Sequence, residues 1–137
     1  MSKGELQISS ILTAAHIPFE REKTFSDLNG FKQTHLRYDF YGTYKGKPFL
    51  IEFQGEEHYF YIPHFHKRRA DFQKRQIYDE RKISYALAHK IQLYCIPFWD
   101  LDKLTSVKDL FKEKYLARSK NHNYQAYKFY KAHCKNS

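Results

Sequence analysis

Leu6, Ile11, Leu12 and Ala15 recur at near-helical spacing, and Ser2 stands three residues ahead of Glu5, the register of a capping box. A helix is predicted from Ser2 to about Ala15. After the breaker His16-Ile17-Pro18, the run Phe19, Arg21, Lys23, Phe25 alternates, which predicts a strand over Ile17–Phe25 that turns at Leu28-Asn29-Gly30. Leu36, Tyr38 and Phe40 alternate with Arg37, Asp39 and Tyr41, and Phe49, Ile51 and Phe53 alternate with Leu50, Glu52 and Gln54. These read as two strands joined by a hairpin turn at Tyr44-Lys45-Gly46-Lys47. From Lys67 to His89 there is neither Gly nor Pro, so a long helix is predicted. Ile91–Ile96 is a β-type run ended by Pro97, after which Leu104, Val107, Leu110, Phe111 and Tyr115 fall on one helical face. The predicted order is α-β-β-β-α-β-α, an α/β domain with a mixed sheet.

Composition narrows the picture. A chain of 137 residues is one domain's worth, and 42% apolar with 18% aromatic residues is enough for a core. No window approaches the ~18 to 20 apolar residues of a membrane span, so no membrane partner is expected. The opening Met1-Ser2-Lys3-Gly4-Glu5 argues against secretion, and the cytoplasm is the expected compartment. Cys95 and Cys134 are too few for a disulfide framework or a Cys-x-x-Cys metal site.

Charge is the first functional signal. Lys and Arg number 24 against 15 acids, a formal +9, and polyanions are the commonest partners of small basic proteins. Nucleic acid is therefore the expected partner, with a solvated basic face or an acidic protein partner as the alternatives. One basic cluster is Lys67, Arg68, Arg69, Lys74 and Arg75; the other is Arg118, Lys120, Lys128, Lys131 and Lys135, interleaved with Tyr124, Tyr127, Phe129 and Tyr130. The second pattern suits phosphate contacts with stacking, and equally suits an amphipathic helix docking on the domain. Lys45 and Lys47 at the hairpin and Gln76 on the long helix complete the candidate DNA contacts.

With Lys45 and Gly46 as the central turn residues, pairing runs until Asp39 faces Glu52. Two opposed carboxylates repel unless a cation lies between them, and hard oxygen ligands suit Mg²⁺. A different register, with both acids solvated, is the alternative.

A wider pattern bears on that choice. Asp39-Phe40-Tyr41, the string Ile51-Glu52-Phe53-Gln54-Gly55-Glu56-Glu57-His58-Tyr59, Gln76-x-x-Asp79-x-x-Lys82 and Ile96-Pro97-Phe98-Trp99 together resemble the PD-(D/E)XK nuclease superfamily. They are most similar to its branch of phage EDxHD homing endonucleases and very-short-patch repair endonucleases. The resemblance spans roughly residues 2 to 100. It implies a single-domain restriction-endonuclease-like fold over residues 1–117, with 118–137 as a basic, aromatic C-terminal extension. It implies a Mg²⁺ site, with Mn²⁺ able to substitute, at Asp39, Glu52, the Phe53 carbonyl and Glu5, although Glu5 is explained equally well as the closing member of the Ser2 capping box.

The resemblance also implies His58 as an active-site acid or base, Asp79 orienting it, Lys82 on phosphate, and Gln54 at the position where many members carry lysine. The expected activity is DNA phosphodiester hydrolysis of homing or nicking type, in a host cytoplasm if phage-encoded. A structure-specific nuclease for junctions, flaps or mismatches and a non-catalytic DNA-binding module are the alternatives, and a second copy of the chain is a candidate partner. The histidines His35, His64, His66, His89, His122 and His133 match nothing in the pattern.

Overall fold

The computed structural model describes residues 1–64 and 66–134; Lys135 lies outside them. Helix α1 spans Lys3–Ala14, and the Ser2 hydroxyl accepts the Glu5 N–H while the Glu5 carboxylate accepts the Ser2 N–H, so the predicted capping box is formed. Strands β1 (Phe19–Asn29), β2 (His35–Tyr44), β3 (Lys47–Gln54) and β4 (Gln92–Pro97) make one sheet in that order. The first three are antiparallel, and β4 is parallel to β3. A parallel neighbour needs a long crossover, which helix α2 (Arg69–Ala88) supplies.

Helices α1 and α2 cover opposite faces. Ile8, Ile11 and Leu12 of α1 are buried with Phe40, Phe49, Ile51 and Ile96, whereas Ile83 and Ala86 of α2 are buried with Tyr38, Leu50, Leu93 and Cys95. Each fully buried large aliphatic side chain contributes about 1.5–3 kcal/mol, and a sheet covered on both faces accounts for the unbroken buried run in β3 and β4. This is a mixed α/β fold on a four-stranded mixed sheet. No described helix is long and apolar enough to cross a membrane.

Gly4 brings α1 close to β3. A Cβ at Gly4 would stand 2.4 Å from the Phe53 ring, so Gly4→Ala is expected to cost about 1–3 kcal/mol, read as a lower denaturant midpoint. An unchanged midpoint would show that the ring can move aside.

The hairpin turns as the sequence predicts. Lys45 and Gly46 both have positive φ, 52° and 78°, as a two-residue turn matched to strand twist requires, and Tyr44 pairs with Lys47. The ladder then runs to Phe40 opposite Ile51 and stops one pair short of Asp39 and Glu52. On the other side, β1 pairs Arg21 with Phe40 and Lys23 with Tyr38, skipping Glu22 opposite Asp39, where Glu22 takes a left-handed φ of 57°. Simple alternation therefore fails at this point. Tyr38 packs on the α2 side and Phe40 on the α1 side, although they are two residues apart.

Two other expectations change, and the C-terminal segment takes the helical form that is one of its two sequence readings. β1 does not end at Phe25 but continues to Asn29 after a register shift beyond Thr24. The expected helix over Leu104 to Tyr115 is instead a four-residue helix α3 (Val107–Leu110) and a 3-10 turn at Glu113–Tyr115, preceded by a 3-10 stretch at Phe98–Lys103. Asp109 is the physical reason. Its Oδ2 accepts the Thr105 and Ser106 N–H groups, each at 2.9 Å, and this cap starts a new helix at Val107 while Leu104, Leu110 and Tyr115 still reach the core. Those backbone bonds hold the Asp109 carboxyl well below the usual carboxylate range. Finally, residues His122–Cys134 form helix α4. Tyr130 of α4 stacks on Trp99 at 4.2 Å, and Tyr127 lies 5.7 Å from Tyr59.

Candidate functional site

The place where both ladders let go of Asp39 is also where a large cavity opens. It has a volume of about 730 Å³ and brings Glu5, Asp39, Glu52, His58, Asp79 and Lys82 to one surface. Each arrives by a different local device. Asp39 sits at the break in β2, with its backbone carbonyl taken by Arg21 Nε at 3.1 Å and its Oδ2 by the Phe53 N–H at 2.8 Å. Glu52 points to the α2 side of β3, opposite in sense to Ile51 and Phe53, and meets Lys82 of α2 as an ion pair. The 3-10 turn Glu56–His58 after Gly55 carries His58 to the middle of α2, where His58 Nδ1 lies 2.9 Å from Asp79 Oδ2.

Two of the sequence candidates stand differently from expectation. Gln54 does not line this cavity; it lies on the same sheet face as Glu52, only 2% exposed, and its Oε1 has no hydrogen-bond partner among the described residues. Glu5 does line the cavity, but both of its oxygens are engaged, Oε2 with Ser2 N–H and Oε1 with Arg21 at 2.7 Å. Arg21 was not legible as a site residue, since it looks like any exposed position of an alternating strand. It holds Glu5 and the Asp39 carbonyl together.

The electrostatics are those of charges withdrawn from water. Burial pushes the Asp39 carboxyl up to about 6, and the charge of Glu5 adds to that, while Lys82, the Phe53 N–H and His58 oppose it. Burial likewise pulls the Lys82 ammonium down to about 8 against the attraction of Asp39. For His58, burial alone would lower the pKa, but the charge of Asp79 and the hydrogen bond to it outweigh burial and the net direction is up. Nδ1–H donating to Asp79 leaves Nε2 as the reactive nitrogen, 3.7 Å from Glu57 Oε1.

These donors can be tested against the implied Mg²⁺. Among the described residues no group of three or more His, Cys, Asp or Glu is gathered to hold a metal. Two carboxylates on one cavity do fit Mg²⁺, which keeps most of its waters and takes one or two protein carboxylates. Asp39, ionising reluctantly, and Glu52, whose counter-charge is a lysine driven toward neutrality, are the donors an added cation would relieve.

The candidate DNA contacts scatter. Lys74 and Arg75 line the cavity. Lys67, Arg68 and Arg69 are exposed around the start of α2, with Arg68 3.6 Å from Asp71 and Arg69 lying 4.9 Å over the Tyr61 ring. Gln76 and Lys120 line a second, smaller cavity on the other side of Asp79. Lys128 is exposed on α4, and Arg118 pairs with Glu113. Lys45 and Lys47 sit at the hairpin tip, six residues or roughly 20 Å of strand from Asp39, and do not line the cavity.

No family model matches the chain, and no solved structure matches it. Among curated proteins, "Uncharacterized protein 307L" of Invertebrate iridescent virus 6 is 35% identical over 48 residues, which are 35% of this chain and 24% of that protein. The chain thus matches about a quarter of that relative's length.

Proposed function

We propose that this chain is a metal-dependent endonuclease that hydrolyses DNA phosphodiester bonds, on a restriction-endonuclease-like variant of the α/β fold and of homing or nicking type. One observation carries the reading. Asp39, Glu52, Lys82 and the His58–Asp79 pair, drawn from β2, β3, α2 and a 3-10 turn, line a single cavity whose rim carries Lys74 and Arg75.

Asp39 and Glu52 would hold the metal, with the Phe53 carbonyl next to Glu52 in the chain, and Mg²⁺ or Mn²⁺ there would supply Lewis-acid stabilisation of charge on the phosphate. The chain's own groups do the rest. His58 Nε2 takes or gives a proton, with Asp79 fixing its tautomer through Nδ1. Lys82, paired with Glu52 on the cavity wall, would face a phosphate oxygen. Lys74 and Arg75 hold the flanking backbone.

Cleavage of plasmid, single-stranded and branched DNA with Mg²⁺, with Mn²⁺ and with EDTA tests the reading; turnover in either metal and none in EDTA is expected, and no turnover on any substrate overturns it. The basic groups are tested by affinity. Each lost phosphate contact takes about 0.9 off the slope of log K against log salt, so Lys74→Ala with Arg75→Ala should flatten it by nearly 2. Lys120→Ala with Lys128→Ala does the same if α4 touches DNA. Slopes unchanged in both pairs would remove both surfaces from the interface.

A further inference from the structure

Behind the His58–Asp79 pair lies the second cavity, about 70 Å³, between α2 and the start of α4. Gln76, Asp79, Glu80, Lys120 and Asn123 supply its main polar lining. Neither polar atom of the Asn123 side chain is open to bulk solvent, and neither has a hydrogen-bond partner among the described residues. An amide buried unpaired costs about 1–3 kcal/mol for each unsatisfied group, and such groups are normally met by ordered water. A water needs only ~10–15 Å³ by this measure and two to four polar neighbours. The cavity offers both.

Asp79 lines this cavity as well as the large one. Its Oδ2 is committed to His58 Nδ1, and a carboxylate can accept further bonds. Asn123 can donate from Nδ2 and accept at Oδ1. Asn123 and Asp79 line the same cavity, and a water hydrogen-bonded to both would connect α4 to the proton-handling pair.

We propose that this cavity is an ordered-water site through which the Asn123 amide holds Asp79, making Asn123 a positioning residue for His58. The inference rests on the reading of His58 and Asp79 as the pair that moves the proton. Its consequence has a sign. A water donating to Asp79 spreads the carboxylate's charge, so losing it concentrates that charge on His58 and raises the imidazole's titration midpoint. The other charged groups acting on His58, namely Arg75, Glu57 and Asp39, are untouched by a change at Asn123.

The test uses the full chain. Titration of the His58 ring nitrogens by NMR is compared in the wild type, Asn123→Leu and Asn123→Ser. The leucine variant, which fills the space with apolar atoms, should raise the midpoint by about half a unit and slow cleavage by about tenfold; the serine variant, which can still bind water, should stay near wild type in both. Trp99, stacked on Tyr130, reports by its fluorescence that α4 remains docked.

An unchanged His58 titration in a docked leucine variant overturns the proposal. If leucine undocks α4, water-to-amide cross-peaks at the Asn123 Nδ2 protons of the wild type decide instead: their presence supports the water site and their absence overturns it. Wild-type protein that cleaves no DNA would remove the nuclease reading and leave the NMR result to stand separately.

Discussion

Asp39→Asn is expected to abolish cleavage and, at the same time, to make the protein harder to unfold at pH 8. The carboxyl is displaced from 3.8 to about 6 by burial, so the folded state holds its proton more tightly than the unfolded chain does. The associated stability is fully present below about pH 4, falls away as pH rises to about 6, and above that the ionised group is a standing cost of up to about 3 kcal/mol. Asparagine removes the charge, and its Oδ1 can still accept the Phe53 N–H. Lys82 loses an attraction at the same time, so the net gain should be about 1–2 kcal/mol, a rise of several degrees in Tm.

The loss of a metal ligand costs several kcal/mol of transition-state stabilisation, about 10³-fold or more in rate. Thermal unfolding at pH 5 and pH 8, with single-turnover cleavage alongside, checks both halves. Equal stability changes at the two pH values would mean Asp39 is solvated, and undiminished Mg²⁺-dependent turnover would remove it from the metal site.

The second large effect concerns His58 and Asp79 as a unit. With Nδ1 and Oδ2 2.9 Å apart and both side chains buried, Asp79→Ala leaves the imidazole without its orienting acceptor. Each single substitution is expected to lose about 10²–10⁴ in cleavage rate, and the double substitution no more than the larger single loss. Because Asp79 raises the His58 pKa, the wild-type rate should fall on the acid side at a higher pH than an ordinary imidazole would give, and this limb should move in Asp79→Ala. Losses that simply add would show two independent roles. Near wild-type turnover in Asp79→Ala would leave the pair structural.

Most of the elements were legible in the chain because they depend on neighbours in sequence. The Ser2 and Glu5 capping box, the Lys45-Gly46 turn and the Gly-free run of α2 each satisfy backbone geometry locally, and each formed as predicted. The periodic apolar residues from Leu104 to Tyr115 predict one helix because periodicity reports burial, but two short elements bury the same residues once Asp109 caps the first. At the site, the proximity of Asp79 and His58 followed from the resemblance, whereas the Glu5–Arg21 ion pair and the unpartnered burial of Gln54 Oε1 and the Asn123 amide had no sequence signal at all.

The sequence by itself determined the α/β class, the order of helices and strands, the hairpin register as far as Phe40, and a positive charge that points to a polyanion. These follow from side-chain periodicity, turn chemistry and net charge, which are local or additive. Only the tertiary structure decided that the ladders part at Asp39 and Glu22, that Lys82 meets Glu52, that Arg21 ties Glu5 to Asp39, and that the face reverses between Tyr38 and Phe40. Those outcomes depend on which buried polar groups find partners across chain separations of up to several tens of residues, and in a low-dielectric interior an unpartnered charge costs more than any local preference can supply.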